Sequence, residues 1–421
     1  MKSHTRALQH SNKSNVTEIA CQKAIEVLMH CAKKTGFYAS GLPGGYEATW
    51  ARDSMITGLG VASLSVVSRK FDAISQKLKT AFLKSIQLLS QNQSKHGQIP
   101  NAVGSYNTER RSDVTFNSID STLWYLVGQQ VFAESYKDKS LLKKYKRNIE
   151  SAFTWLEYQD PNEDSLLVQQ PTMDWEDAFP HKYGRVINTE ALYYGVLKMY
   201  GKNKQAEHLK KVVNGEIEKY LSLYDSKLGY YRPWAWKSHG PKEKEQESWF
   251  DTLGNLLAIV TGLATPKIAN KILNYIDKSK INRPYPCKAI YPPIRKGDKE
   301  WHSYFDACEA REAYHYLNAG IWPMIGGFYV VVLVKMKKFD KAQKELELLA
   351  KANSLGRPLD QLEHSSTFER LGVKGEWQFH EWLDGKTGKL EGSSSPYQAW
   401  SAGAYLYAAD CLKSRKVLYF S

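Results

Sequence analysis

Hydrophobic positions along the chain recur at steps of three and four residues, which is the spacing of one face of an α-helix. One such face carries Phe71, Ile74, Leu78, Phe82, Ile86 and Leu89. Strand-like alternation is scarce, and the pattern predicts about a dozen helices. The predicted helices cover residues 17–35, 53–67, 70–91, 118–135, 139–158, 187–201, 204–224, 250–262, 266–278, 306–318, 322–337, 339–352 and 397–413.

The predicted helices are of two kinds, and the two kinds roughly alternate. Segments such as 70–91 and 339–352 are amphipathic, whereas 53–67 and 399–409 are apolar or small nearly all round. A helix without a polar face must be covered on all sides. We therefore expect an all-α protein with an inner ring of buried helices inside an outer ring. An open helical solenoid is the alternative, but it requires a repeat period that the chain lacks.

Composition limits the class of protein. The chain has 421 residues, of which 42% are hydrophobic, so it can bury a large core. We expect a flexible segment over 1–15 and a single domain over 16–415, because no Pro/Gly/Ser-rich linker divides the chain. The first residues lack an apolar signal segment, and the longest apolar run, 321–334, is too short to span a bilayer.

Cysteine and charge add two expectations. Five cysteines, an odd number without CxxC spacing, indicate reduced thiols and a soluble cytoplasmic protein. The formal net charge is +14, and its lysines lie on the outer faces of predicted helices. No nucleic-acid-binding pattern accompanies them, so we expect no nucleic acid and no membrane as partner. A basic rim that attracts an anionic substrate stays open, and so does a homo-oligomer.

Polar and aromatic residues cluster just before or after the buried helices. If the inner helices point the same way, these clusters meet at one end and line a pocket. The clusters are residues 46–53, 117–120, 173–177, 318–323 and 379–385.

Two of these clusters hold a carboxylate among aromatic side chains. Asp177 follows Trp175, and Glu381 precedes Trp382. An apolar setting raises the pKa of a carboxyl group, and a pair of such groups is what glycosidic hydrolysis needs. A surface salt bridge is the simpler interpretation of any single Asp or Glu.

Two further acids open buried helices. Asp53 follows Trp50 and Arg52, and Asp120 enters another apolar segment. A buried Asp either pairs with an arginine for stability or holds the hydroxyls of a sugar. The residues leave both interpretations open.

Other chemistries find no support in the sequence. It contains no HExxH, no metal-like histidine spacing, no phosphate-binding glycine loop and no GxSxG. We expect neither a metal nor a cofactor.

At the polar clusters the sequence resembles the neutral/alkaline invertases, glycoside hydrolase family 100. It is also similar to the catalytic domains of amylo-α-1,6-glucosidases, the glycogen-debranching enzymes. The resemblance extends from about residue 40 to residue 413. The matching segments, in the family order, are Tyr46–Ser54 (YEATWARDS), Gly97–Asn101, Asp120–Trp124, Asp174–Ala178, Gly184–Tyr194, Trp249–Asn255, Ala289–Pro292, Asn318–Pro323, Phe379–Gly385 and Gln398–Trp400.

The resemblance implies an (α/α)6 barrel and a set of site residues. It implies that Asp177, rather than Asp174, is the general acid and that Glu381 is the general base. It also implies contacts to the sugar from Tyr46, Trp50, Arg52, Asp53, Asp120, Trp175, Glu190, Asn318, Trp322, Gln398 and Trp400.

Two departures from the invertase pattern concern the substrate. Ala319 replaces a glycine, and Asp177 is followed by Ala178-Phe179 instead of an Asp-Arg-Arg run, which is closer to the debranching form. The expected function is an inverting hydrolase of a small α-glucoside, with sucrose preferred. The alternatives are an α-1,6-glucosidase acting on isomalto- or glycogen-derived oligosaccharides and a non-catalytic sugar-binding protein.

Overall fold

The computed structural model describes residues 4–67, 73–104, 112–237, 244–358 and 375–420, with side chains from Val16 onward except at residues 66, 67, 237 and 244. These residues include thirteen α-helices and two 3₁₀ turns, Ser303–Ala307 and Glu309–Arg311. The α-helices are α1 His4–Cys31, α2 Ala51–Val67, α3 Ala73–Gln91, α4 Asp120–Ser135, α5 Ser140–Lys144, α6 Lys146–Glu157, α7 Ile187–Met199, α8 Asn203–Val213, α9 Thr252–Thr261, α10 Pro266–Lys278, α11 Pro323–Lys335, α12 Phe339–Ser354 and α13 Ala399–Ser414.

The strands of the described residues are short and pair only antiparallel, in five small sheets. The sheets are β1–β2, β3–β4–β5, β10–β9–β6, β11–β12 and β7–β8. The strands are β1 Ala32–Lys33, β2 Gly36–Phe37, β3 Thr49–Trp50, β4 Ala102–Val103, β5 Val114–Thr115, β6 Arg185–Val186, β7 Tyr224–Asp225, β8 Tyr230–Tyr231, β9 Trp234–Lys237, β10 Lys244–Gln246, β11 Phe250–Asp251 and β12 Ile290–Tyr291.

Six of the described helices close into a ring, which we call the inner ring. In the order α2, α4, α7, α9, α11, α13, each packs on the next, and α13 packs back on α2. Every residue of α9 is buried, as expected for helices that are apolar all round. Glycines allow the closest approach: a Cβ on Gly60 of α2 would lie 2.1 Å from the carbonyl oxygen of Gly403 on α13.

Amphipathic helices cover this ring from outside. Helix α3 packs on α2, α6 on α4, α8 on α7, α12 on α11, and α1 on α13. Each buries only one stripe; α8, for example, buries Ala206, Leu209, Val212 and Val213. The predicted double ring, the (α/α)6 barrel, is confirmed.

Short backbone ladders hold the chain where it enters the inner ring. Strands β3, β6 and β11 lead directly into α2, α7 and α9. Isolated bridges pair Gln398 with Ser40 before α13 and Ile321 with Leu383 before α11. The amide of Ile119, before α4, donates to the carbonyl oxygen of Met173 at 2.8 Å. Ladders and backbone hydrogen bonds therefore hold the chain at the N-terminal end of the ring, and side chains there are well placed for a site.

One predicted helix is wrong. Residues 306–318 form 3₁₀ turns and then an irregular segment in which Tyr314 and Tyr316 have φ of 73° and 45°. The backbone of this segment bonds elsewhere: the amide of Gly385 donates to the carbonyl oxygen of Tyr314 at 2.8 Å. Helix propensity is a weak preference, and these tertiary bonds override it.

Two predicted helices have different limits. The predicted helix 204–224 ends at Val213, because Asn214 and Gly215 (φ 77°) form a helix stop that the prediction overlooked. The predicted helix 139–158 is divided at Tyr145 into α5 and α6. Among the described helices, none has both the length and the apolarity that crossing a membrane requires. The flexible segment over 1–15 and the single domain stay predictions.

Candidate active site

A cavity of about 150 Å³ opens at the N-terminal end of the inner ring. It brings together nine of the residues predicted from sequence and two that were not. Its lining consists of Ala39, Tyr46, Trp50, Arg52, Asp53, Trp175, Asp177, Tyr316, Trp322, Glu381 and Trp400.

Helix starts and loops place these side chains. Arg52 and Asp53 lie in the first turn of α2, Trp322 is the N-cap residue of α11, and Trp400 is the second residue of α13. Glu381 lies on a loop whose backbone is held on both sides of it. Its own amide donates to the carbonyl oxygen of Ser395 at 2.9 Å.

Aromatic rings form the walls. Trp322 is edge-on to Trp175 and to Trp400, with ring centroids 5.4 Å and 5.7 Å apart. Tyr316 packs on Trp322 at 5.2 Å, and Tyr46 on Trp50 at 6.1 Å. Rings that brace one another in this way present fixed apolar surfaces, which suit the flat C–H faces of a sugar.

The lining includes one arginine, and an acid behind the cavity holds it. Nη1 of Arg52 donates to both carboxylate oxygens of Asp120, at 3.0 Å and 2.9 Å. Nη2 lies 4.0 Å from Oδ2 of Asp177. Asp120 is fully buried and does not line the cavity, which favours the pairing interpretation; its contact with a sugar stays a prediction.

Burial raises the pKa of the acids that line the cavity. Loss of solvation, opposed by Arg52, raises the pKa of Asp177 to about 6 and that of Asp53 to about 6. Loss of solvation, followed by the charges of Asp53, Glu309 and Asp177, raises the pKa of Glu381 well above its ordinary value. Because these acids repel one another's charge, their titrations are coupled.

The two predicted catalytic carboxyl groups, Asp177 and Glu381, have different surroundings. The side chain of Asp177 is 35% exposed and has the arginine nearby. Glu381 is 6% exposed, and it forms no salt bridge with a described residue.

Three other predicted residues do not line the cavity. The side-chain amide of Asn318 bonds to other parts of the protein: its oxygen accepts from the backbone N–H of Ile294 at 2.8 Å, and its nitrogen donates to two carbonyl oxygens. Glu190 is buried near Asp164 and Arg185, away from the lining. Gln398 is buried at the start of α13, and its side-chain amide has no hydrogen-bond partner among the described residues.

Asp174, the alternative to Asp177, lies behind the cavity. It is fully buried, and Lys182 donates to it at 2.9 Å. This placement favours Asp177 as the member of its segment that can reach a ligand.

Sequence reasoning missed two residues of the lining. Tyr316 lies in the segment wrongly predicted to be a helix, where a tyrosine gives no signal of its own. Ala39 has no chemical function that a pattern could reveal.

A second polar group lies beside the site. His315, Asp384 and Glu391 each have a possible ligand atom within 4.8 Å of the others. Oδ1 of Asp384 already accepts from two amides and a hydroxyl of residues 386 and 387, as in a tight turn. The need for no metal stays a prediction.

The C-terminal part of the chain is similar to invertases. Residues 241–415 match the family described as alkaline and neutral invertase. The chain is 29% identical over 175 residues to neutral/alkaline invertase 1, mitochondrial, of Oryza sativa subsp. japonica, covering 40% of this chain and 24% of that protein. It is 27% identical over 168 residues to cytosolic invertase 1 of the same species, covering 39% and 26%.

These matches cover only part of this chain and of its relatives. The chain spans about a quarter of the length of these relatives. The match includes the Glu381 segment but not the Asp177 segment, so it is shorter than the resemblance expected over 40–413. The relatives carry both mitochondrial and cytosolic names, and a cytoplasmic location stays a prediction.

Solved structures match almost the whole chain. The glycoside hydrolase family 63 mannosylglycerate hydrolase of Thermus thermophilus, in complex with Tris and D-glycerate, has a TM-score of 0.60 at 14% identity, covering 92% of this chain and 99% of that one. A glycosidase in complex with glucose has a TM-score of 0.61 at 14% identity, covering 98% and 99%. The resemblance to the neutral and alkaline invertases is thus confirmed over residues 241–415, and the fold is the (α/α)6 barrel of these glycosidases.

Proposed function

We propose that the protein is an inverting glycoside hydrolase that cleaves the α-glucosidic bond of a small sugar, with sucrose as the preferred substrate. The observation that carries the proposal is a pair of carboxyl groups with raised pKa, Asp177 and Glu381, lining one aromatic cavity. Binding a sugar would not require that pair, whereas hydrolysis by water does. The invertase resemblance supports a sugar substrate.

In the proposed reaction the glucose ring fills the cavity. Asp53 and Arg52 hold its hydroxyls, and the tryptophans cover its faces. A cavity of about 150 Å³ is smaller than the roughly 300–1,000 Å³ of pockets for drug-sized ligands, which suits one ring at the end of a substrate.

Asp177 acts as the general acid and protonates the bridging oxygen. A pKa of about 6 leaves part of the population protonated near neutral pH, which is what a general acid needs. Glu381 acts as the general base and takes a proton from water on the opposite face of the ring. Inversion requires room for that water, and inverting pairs stand roughly 6.5–9.5 Å apart.

The reverse assignment is a second candidate, and the electrostatics favour it. Arg52 lies near Asp177 and stabilises its ionised form, whereas no described cation forms a salt bridge with Glu381, whose pKa is raised well above its ordinary value. The roles given above follow the family resemblance.

α-Glucosyl fluoride separates the two assignments, because fluoride leaves without a proton. The variant that lacks the acid should still hydrolyse this substrate. The variant that lacks the base should not, until added azide attacks in place of water. Fluoride release by Asp177→Asn but not by Glu381→Gln supports the proposed roles, and the opposite result reverses them.

The decisive test of function is proton NMR of sucrose hydrolysis at early times. Attack from the face opposite an α bond releases β-glucose before mutarotation supplies the α form. Initial α-glucose would contradict inversion at glucose. Glucose from isomaltose but not from sucrose would favour the debranching-like alternative with the same pair. No hydrolysis of sucrose, maltose, trehalose or isomaltose, with binding retained, would favour the sugar-binding alternative.

A further inference from the structure

A buried group of four charged side chains lies behind the segment that carries Asp177. Nζ of Lys182 is 2.9 Å from Oδ2 of Asp174 and 3.4 Å from Oδ2 of Asp251, and it also contacts the carboxylate of Glu176. All four side chains are fully buried. We call these residues the Lys182 group.

The Lys182 group connects the Asp177 segment to the inner ring. Asp174 and Glu176 flank Trp175, which lines the cavity, and Glu176 is next to Asp177. Asp251 is the N-cap residue of α9, where its Oδ1 accepts from the amide of Gly254 at 2.8 Å. One ammonium group therefore joins the cavity loop to the start of an inner helix.

Backbone and amide contacts stiffen the same loop. Oδ1 of Asp174 accepts from the amide N–H of Glu176 at 3.0 Å. Its Oδ2 accepts from the side-chain amide of Gln169 at 3.3 Å, and Gln169 in turn accepts from the hydroxyl of Thr189 on α7. Through Asp174 and Gln169 the loop is thus tied to α7 as well as to α9.

The charges in the group do not balance. One ammonium faces three carboxyl groups, and together they raise the pKa of Lys182 although burial opposes this. Burial raises the pKa of Glu176 well above its ordinary value and also raises the pKa of Asp174, while Lys182 opposes both shifts. The charge of Asp174 adds to the rise of the pKa of Asp177.

We propose that Lys182 is a positioning residue for the catalytic carboxyl of Asp177: it fixes the 174–177 loop to the N-terminus of α9 through Asp174, Glu176 and Asp251. The inference rests on the proposed function, since Lys182 acts only through Asp177. It adds to that function the residue that decides where the Asp177 carboxyl stands.

A buried ion pair elsewhere in the chain serves as a control, because it can separate a positioning role of Lys182 from an effect on stability alone. Arg185 is buried and donates to buried Asp164 at 2.9 Å, but this pair has no contact with the 174–177 loop among the described residues. Removing Lys182 leaves three buried carboxyl groups without their cation and removing Arg185 leaves one, so both changes should destabilise the fold, Lys182→Met by more. Only the loss of Lys182 should change catalysis.

The experiment compares Lys182→Met and Lys182→Arg with Arg185→Met in the full chain, with rates normalised to the folded fraction from circular dichroism. A displacement of about 1 Å can cost a reaction roughly 10²-fold, so we expect kcat of Lys182→Met to fall by about that factor. KM should stay near the wild-type value, because Arg52 and Asp53 hold the sugar. Lys182→Arg should recover part of the loss, and Arg185→Met should keep its kcat.

A second pair of variants covers the case in which Lys182→Met does not fold. Asp174→Asn keeps the shape of the group but removes one negative charge near Asp177. The pKa of Asp177 then falls, and the alkaline limb of the profile of kcat/KM against pH should shift to lower pH by roughly 0.5–1 unit. Asp164→Asn removes an equally paired buried charge and should leave that limb in place.

The outcomes distinguish the inference from the function on which it rests. If Asp177→Asn keeps wild-type turnover, the proposed function is wrong. If Asp177→Asn is inactive but Lys182→Met folds with the kcat of Arg185→Met, the positioning role is wrong. A limb that moves equally in Asp174→Asn and Asp164→Asn also contradicts it.

Discussion

The inner ring of helices ends in two cavities that differ in charge as well as in size. At the N-terminal end, about 150 Å³ is lined by three carboxyl groups and one arginine. At the C-terminal end, a wider cavity of about 1100 Å³ is lined by one carboxyl group and five basic residues. Those five are Lys137, Lys335, Lys337, Arg415 and Lys416.

The helices themselves explain the contrast. A helix carries partial positive charge at its N-terminus and partial negative charge at its C-terminus, and acidic and basic side chains respectively complement these. Asp53 and Asp120 lie at the first turns of α2 and α4. At the other end, Nζ of Lys335 donates to the carbonyl oxygen of Val260 in α9 at 2.7 Å, and Lys210 donates to that of Gly262 at 2.9 Å.

The excess positive charge of the chain is also distributed unequally between the two ends of the ring. Of the basic residues that line the wider cavity, Lys335 donates to a carbonyl oxygen at the end of α9, and the described lining of the narrow cavity includes one cation, Arg52, which Asp120 holds. Lys137, Arg415 and Lys416 are exposed, so solvation of the surface is the simpler explanation of the excess charge.

The two ends of the ring differ most in how well their charged side chains are solvated. Loss of solvation raises the pKa of Asp53 and of Asp177 in the narrow cavity, although Asp53 lies at a favourable helix N-terminus. Lysines such as Lys137 and Lys416 stay in water. We therefore expect substitutions at the narrow end to have large effects, and equivalent ones at the wide end to have small effects.

The largest difference should appear in turnover. Asp177→Asn removes a proton donor but keeps the shape of the side chain, and general acid–base groups contribute roughly 10²- to 10⁴-fold in rate. We expect kcat on sucrose to fall by that factor, measured as glucose released. Glu134→Gln, the equivalent change in the wide cavity, should leave kcat unchanged. Equal losses in the two variants would remove the functional distinction between the ends.

The next largest difference should appear in stability. Arg52→Met leaves Asp120 buried without its cation, which typically destabilises a protein by about 3–5 kcal/mol. Lys137→Met changes an exposed residue and should alter the free energy of unfolding by less than about 0.5 kcal/mol. Urea denaturation of both variants measures this difference. Similar losses would mean that Asp120 finds another partner.

That buried pair also marks where sequence-based prediction ends. The inner helices could be predicted because a helix like α11, apolar on all sides, has only one place in a double ring. The aromatic and acidic lining could be predicted because its residues lie at the starts of such helices. The pairing of Arg52 with Asp120, which are 68 positions apart, could not, since nothing in their local sequence chooses between a salt bridge and a sugar contact.

The same limit applies to the segment 306–318 and to Lys182. Residues 306–318 have ordinary helix propensity, and only bonds to distant residues such as Gly385 show why the segment is irregular. Lys182 resembles any surface lysine in the sequence, yet Asp251, 69 positions away, helps to hold it in the interior. Contacts between distant residues decide these cases, and periodicity carries no information about them.

A smaller effect should appear as a change of stability with pH. The pKa of Asp53 is about 6 in the folded protein against an ordinary 3.8, so the folded state holds a proton that the unfolded state releases between these values. The wild type therefore loses stability as pH rises from about 4 to about 6. Asp53→Asn should remove this loss and be more stable than wild type by about 1–3 kcal/mol at neutral pH, but not near pH 4. Urea denaturation at both values tests this, with Glu134→Gln as the exposed control. A gain that is the same at both values would contradict the burial argument.

The smallest effect should come from a charge reversal at the wide end. Lys416 is exposed and follows Arg415, the C-cap residue of α13, whose last carbonyl groups carry partial negative charge. Lys416→Glu places a like charge there and should cost about 0.3–1 kcal/mol at low ionic strength. Salt near 1 M shortens the screening length to about 3 Å, so most of this loss should disappear in denaturation curves recorded there. Lys416→Gln should lose less. A loss that persists in high salt would mean that Lys416 packs against the protein, and the wide end would then depend on contacts as the narrow end does.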